Sequence, residues 1–170
     1  ETFGALLRIA QIESKVRRGR FAVVDLSEIS NRVVEAYESA VEDASQALRA
    51  DISPGVQVRG DKDLLTQMLA NLIENAMRHC PEGTAIHVML TNDAAPALAV
   101  TDTGPGIPAD AREAVLRRFY RLEESRTTSG SGLGLALVKA IAELHNAKLT
   151  LSDNSPGLSV SVQFPRQTVH

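Results

Sequence analysis

The most constraining stretch of the chain runs from Ala97 to Pro108. Ala97-Leu98-Ala99-Val100 is a short apolar run and reads as a buried strand. It leads into Asp102-Thr103-Gly104-Pro105-Gly106-Ile107-Pro108. An acid therefore stands where a strand leaves the core, with two glycines and two prolines following at once. Glycine lets a ligand approach the backbone, and proline fixes the turn that carries it. A carboxylate held rigidly beside exposed backbone suits hydrogen-bonded recognition of a small polar ligand. The stretch itself does not say which ligand.

Around it the chain alternates helical and strand patterns. Residues 1 to about 18 carry Ala5, Ile9, Ile12 and Val16 at helical spacing, and Gly19 is a stop. Phe21 to Leu26 predicts a short strand. Ser27 reads as the N-cap of a helix with Ile29, Val33, Val34, Tyr37 and Val41 on one face. Residues 45 to 59 predict two short strands around a turn at Pro54-Gly55. Asp61 caps a helix bearing Leu64, Leu65, Met68, Leu69, Leu72, Ile73 and Ala76, which stops near Cys80-Pro81-Glu82-Gly83. Residues 85 to 91 and 97 to 101 predict paired strands joined at Asn92–Pro96. A short helix is expected over 109–119, a polar loop without periodicity over 121–131, and an apolar helix over 132–146. A closing hairpin is expected over 148–152 and 158–164, around Asn154-Ser155-Pro156-Gly157. Hairpins mixed with crossovers predict an α/β fold, with a mixed sheet covered by helices on one face.

Bulk properties narrow the classes. The 170 residues fit one domain with an appendage, and 44% hydrophobic residues supply a core. A net charge of -3 argues against a dedicated nucleic-acid binder. The single cysteine, Cys80, cannot form an intrachain disulfide, which fits a reducing compartment. No apolar run approaches the roughly 18 residues that span a bilayer. The start in mid-pattern at Glu1 suggests a fragment.

Two further constellations carry chemistry. The Asp61 helix presents Asn71 and Asn75 one turn apart, and Arg78 and His79 continue the same face. Amide oxygens are hard ligands suited to Mg²⁺, which keeps waters and binds phosphates at the same time. Arg78 and His79 could then reach those phosphates. A merely solvated polar face accounts for these residues equally well. Gly130-Ser131-Gly132-Leu133-Gly134-Leu135 opens a helix, where free backbone donors make a phosphate site. By itself this signal is weak, and the third glycine of the dinucleotide fingerprint is missing. Residues 55–60 have the glycine spacing of a P-loop, but Asp61-Lys62 follows and a strand fills the interior. Asp102-Thr103-Gly104 also occurs in aspartic proteases; one triplet among long helices does not suit that all-β, two-carboxylate enzyme. His87 and His145 have no cysteine or histidine at metal-ligand spacing and read as structural.

Taken together the pieces resemble sensor histidine kinases. Asn71-Leu-Ile-Glu-Asn75-Ala-Met-Arg78-His79 resembles their N box, and Asp102 to Pro108 their first glycine box. Arg118-Phe119-Tyr120-Arg121 resembles the F box, and Gly130 to Leu135 the second glycine box. All four stand in the family's order. The resemblance implies a Bergerat-type two-layer α/β sandwich that binds ATP with Mg²⁺. Under it, Asp102 would accept from the adenine amino group, while Gly104, Gly106 and Ile107 would lie along the base. Asn75 would hold Mg²⁺ with Asn71 in support. Arg78, His79, Tyr120 and Arg121 would contact the nucleotide, and residues 121–131 would form the ATP lid. Gly130, Ser131, Gly132, Leu133 and Gly134 would bring the helix start to the phosphates. Glu74, beside Asn75, would help position the transfer.

The family donates the γ-phosphate to a histidine on the first helix of a dimerising hairpin. None of His79, His87, His145 or His170 sits in such a box. Residues 1–18 resemble the hairpin's second helix, through Leu6-Leu7-Arg8-Ile9-Ala10-Gln11-Ile12-Glu13-Ser14, and residues 19–170 the catalytic domain. The implied partners are the histidine-bearing hairpin, a response regulator receiver domain and a second copy of the full-length chain, with no nucleic acid. The implied setting is the cytoplasmic side of a bacterial inner-membrane kinase. A non-catalytic nucleotide-binding module of the same superfamily is the alternative.

Overall fold

Asp61 starts the helix on which the fold is built. In the computed structural model, which describes residues 20–106, 109–112 and 134–166, its carboxylate accepts from Asp63 N–H at 2.9 Å and Leu64 N–H at 3.2 Å. The helix, α2, runs from Lys62 to His79 and buries Leu64, Leu65, Met68, Leu69, Leu72 and Ile73. Each such side chain contributes about 1.5–3 kcal/mol when fully removed from water. Helices α1 (Leu26–Asp43) and α3 (Gly134–Leu144) pack on either side of it.

Beneath the helices lies a mixed sheet of five strands: β2 (Ala47–Ile52), β4 (Ala85–Asn92), β5 (Pro96–Asp102), β7 (Leu158–Gln163) and β6 (Lys148–Asp153), in that spatial order. Strands β2 and β4 are parallel and the other pairs antiparallel. Its inner face aligns Leu48, Ile86 and Asp102 in one row and Ala50, Val88, Val100, Val160 and Leu151 in the next. The opposite face carries Arg49, His87, Ala99, Thr101, Ser159 and Ser161, small or polar and, Thr101 apart, only partly covered. One buried face and one wet face is the expected pattern for a largely antiparallel sheet. His87 lies on the wet face, bonded to Asp51 of β2. The predicted two-layer sandwich is therefore present.

A second, two-stranded sheet pairs β1 (Ala22–Asp25) with β3 (Gln57–Gly60). The strands expected around Pro54-Gly55 thus exist but diverge, β2 into the large sheet and β3 into the small one. A second difference concerns the start of α1. Asp25, not Ser27, is its N-cap, accepting from Glu28 N–H at 2.9 Å. Ser27 is buried, and its hydroxyl donates to the Ser53 carbonyl at 2.6 Å while accepting from Val56 N–H at 2.9 Å. It fastens the helix to the β2–β3 turn.

His145 joins the two sheets. Its Nδ1 donates to the Ile141 carbonyl at 2.7 Å, so Nε2 is free to accept from Asp61 N–H at 3.1 Å. The ring stacks on Phe21 at 4.6 Å and meets Phe164 edge-on at 6.4 Å. Burial pulls its pKa below the ordinary 6.5 and keeps it neutral. The structural reading of this histidine holds.

Candidate functional site

Strand β5 delivers Asp102 to the inner, helix-covered face of the sheet at its end, where it is 8% exposed. Its Oδ1 accepts from Gly104 N–H at 2.9 Å and Leu158 N–H at 3.2 Å. The loop that follows is pinned on the β4 side by Thr103, whose N–H donates to the Ala85 carbonyl at 3.1 Å and whose Oγ1 accepts from Ala85 N–H at 2.9 Å. Gly106 has φ +76°, and a Cβ there would stand 2.8 Å from the Gly157 carbonyl oxygen. Only glycine suits both its conformation and its contact. The expected 109–119 helix is represented by a single 3₁₀ turn at Ala109–Ala111. Beyond Arg112 it lies outside the described residues.

Cys80 lies behind the acid. A Cβ on Gly104 would stand 2.6 Å from its Sγ and 3.3 Å from Asp102 Oδ1, so the three groups share one small volume. The thiol stands beside the Asp102 carboxylate. Burial first, and the charge of Asp102 second, push its pKa up to about 12. The turn carrying it is fixed by Gln46, whose Nε2 donates to the Met77 and Cys80 carbonyls at 3.1 and 2.7 Å, closing the C-terminus of α2.

On α2, Asn71 and Asn75 are half-buried and Arg78 and His79 exposed, on one continuous face. Glu74 is also exposed but turns toward α1, where it accepts a short hydrogen bond from the Tyr37 hydroxyl. Burial, then this bond and the charge of Glu74, hold that hydroxyl's pKa well above its ordinary range. Among the described residues no three His, Cys, Asp or Glu side chains form a metal cage. A hard cation here would rest on amide oxygens, waters and its own anionic ligand, which is a Mg²⁺-nucleotide donor set rather than a protein-only one.

The structure thus brings Asp102, Gly104 and Gly106 together at one strand end and sets Asn71, Asn75, Arg78 and His79 on the neighbouring helix. Gly134 is the first described residue of α3. Ile107, Tyr120, Arg121, Gly130, Ser131, Gly132 and Leu133 lie outside the described residues, as do residues 1–18 and the expected lid at 121–131. Sequence reasoning overlooked Asn154 and Gly157 as neighbours of the site. Asn154 Nδ2 donates to the Asp102 carbonyl at 2.7 Å, and Gly157 packs against the same oxygen. Their Asn-Ser-Pro-Gly pattern is a complete turn signal, which left no residue of the four to explain otherwise.

The sequence model of the "Histidine kinase-, DNA gyrase B-, and HSP90-like ATPase" family matches residues 60–168. Sensor-like histidine kinase SenX3 of Mycolicibacterium smegmatis is 32% identical over 169 residues, 97% of this chain and 44% of the relative. Sensor protein IrlS of Burkholderia pseudomallei is 36% identical over 165 residues, 94% of this chain and 35% of the relative. The chain therefore spans less than half the length of these curated relatives. The solved structure of the mycobacterial sensor histidine kinase MprB superposes with a TM-score of 0.72 at 31% identity, covering 87% of this chain and 99% of that one.

Proposed function

This chain belongs to the family of histidine kinase-, DNA gyrase B- and HSP90-like ATPases, and we propose that its own residues bind Mg-ATP and donate the γ-phosphate to a histidine of a dimerisation hairpin. It is homologous to sensor histidine kinases and has the fold of their ATP-binding catalytic domain. Residues 1–18 are then the hairpin's second helix and residues 19–170 the catalytic domain. The further partners on this reading are a response regulator receiver domain and a second full-length copy, on the cytoplasmic side of an inner membrane.

The observation that carries the reading is Asp102. A buried carboxylate has to be satisfied, and here one oxygen is held by two backbone N–H groups. That fixes the acid as an acceptor for an amino group, and the adenine amino group is the base edge it suits. Gly104 and Gly106 keep the adjoining loop free of side chains, so that the base can lie against it. Asn75, with Asn71 one turn earlier, supplies amide oxygen to Mg²⁺, whose role when bound is to neutralise phosphate charge. Arg78 and His79 extend the same face toward the phosphates, with Arg121, Tyr120 and the Gly130–Gly134 helix start completing the grip. Such phosphoryl transfer asks the protein chiefly for positioning and charge stabilisation.

Mg-ATP titration with thermal melting tests the reading. Saturation at 100 times Kd should stabilise the fold by about 2.7 kcal/mol. Asp102→Asn keeps a carbonyl oxygen for the Gly104 and Leu158 N–H groups, so its apo melting temperature should stay close to the parent's. It presents an NH₂ to the adenine amino group, and the ATP-induced shift should vanish. An Asp102→Asn protein that responds to ATP like the parent refutes the adenine assignment. Supplying the histidine hairpin in trans and assaying acid-labile phosphate on it tests the transfer itself.

A further inference from the structure

Asp102 is gripped from two sides. On the β4 side the grip is local to the sheet, through Thr103 and Ala85. On the other side it comes from one turn, the four residues between β6 and β7, far along the chain. Asn154 Nδ2 donates to the Asp102 carbonyl at 2.7 Å, and Leu158 N–H, just after the turn, donates to its carboxylate at 3.2 Å. Gly157, at φ +109°, fits so closely that a Cβ on it would fall 1.8 Å from the Asp102 carbonyl oxygen. The same glycine's carbonyl oxygen lies against Gly106. One turn therefore touches the backbone of the acid, its side chain and the glycine loop beyond it.

The turn is itself stiff. The Asp153 carboxylate accepts from the Ser155 hydroxyl at 2.8 Å and the Ser155 N–H at 3.3 Å, and Asn154 N–H donates to the Gly157 carbonyl at 3.0 Å. A turn hydrogen-bonded at two points to a recognition residue, and packed against it at a third, transmits its position to that residue. Hydrogen bonds to a base edge weaken steeply with misalignment, so the direction of the carboxylate decides how well it tells one base from another.

We propose that the β6–β7 turn is a clamp that aims Asp102, making Asn154 a positioning residue for nucleotide-base selection. This rests on the adenine reading of Asp102. Asn154 touches no nucleotide on this account and acts only by holding the Asp102 peptide. Its loss therefore weakens recognition of the amino group and leaves the phosphate contacts of α2 intact. Hypoxanthine is the informative comparison, because it carries an oxygen acceptor where adenine carries the amino group, and that oxygen faces the carboxylate unfavourably.

The experiment is to measure Kd for Mg-ATP and for Mg-ITP on the parent chain, Asn154→Ala, Asn154→Asp and Asp102→Asn, with apo melting curves alongside. A hydrogen bond to a charged group is worth about tenfold or more in affinity, so the parent should prefer ATP by about that factor. Asn154→Ala should cut the preference about threefold or more, with Kd for Mg-ITP moving less than about twofold. Asn154→Asp keeps the shape, removes the donor and should behave alike, which guards against a folding loss particular to alanine. A preference retained in both Asn154 variants but lost in Asp102→Asn overturns the clamp and leaves the adenine reading standing. Equal weakening of both nucleotides overturns it too, as a purely structural role. A preference retained in Asp102→Asn refutes the adenine reading and the clamp with it.

Discussion

Cys80 and Asp102 occupy one small volume, and the acid bears on the chemistry of the thiol. The thiol sits beside the carboxylate, whose charge adds to burial in keeping the thiol protonated. With a pKa of about 12 the thiolate population at pH 8 is negligible, and thiolate is the reactive form. The thiol of the native chain should therefore resist iodoacetamide at pH 8 for hours, and react fully within minutes once urea unfolds it. Mass spectrometry of the alkylated peptide separates the two states; rapid native labelling would show that Cys80 is not buried beside the acid as described. The acid itself was legible in the sequence, because a buried strand ending on Asp-Thr-Gly-Pro-Gly carries its own explanation. Its thiol neighbour was not. The sequence places Cys80 only where the Asp61 helix stops, and nothing local reveals that the helix end and the strand end meet.

At the scale of elements, boundary signals compete, and the structure shows which one wins. Asp61 caps α2 as its sequence position implies. At α1 two candidates stand two residues apart, Asp25 and Ser27, and the cap goes to the earlier one. Ser27 is taken by a non-local task, bonding across to Ser53 and Val56. Its removal strands a half-buried carbonyl and a buried N–H, whereas loss of a solvent-facing cap exposes its donor to water. Ser27→Ala should cost about 2–4 kcal/mol and Asp25→Ala about 1 kcal/mol. Urea denaturation of both variants would settle the ranking, and the reverse order would restore Ser27 as the cap. The divergence of β2 and β3 was hidden for the same physical reason. Strand propensity is local, but the choice of pairing partner depends on which hydrophobic face finds the core.

Across the whole molecule, His145 is the point where the small sheet, α2, α3 and the end of the large sheet converge. Its neutral form fits this place: one nitrogen donates to Ile141 and the other accepts from Asp61. Protonation would turn the acceptor into a donor facing the Asp61 N–H. Because the folded pKa lies below the unfolded value, the stabilisation is fully present above about pH 6.5 and falls as the pH drops below it toward the folded pKa. Equilibrium stability should thus decline from pH 6.5 toward 5, with a shallower slope in His145→Gln, which cannot titrate. An unchanged slope in that variant would remove His145 as the source. The two-layer architecture was legible from periodicity; this junction was not, because its partners are scattered from Phe21 to Phe164. The turn that holds Asp102 is scattered in the same way, 52 and 56 residues downstream of the acid it grips. Distance along the chain is also order in time. Asp102 is translated before Asn154, Gly157 and Leu158, so its geometry stays open until they have been made. On the clamp proposed above, base selection waits until the β6–β7 hairpin docks, and a nascent chain captures no nucleotide selectively before that.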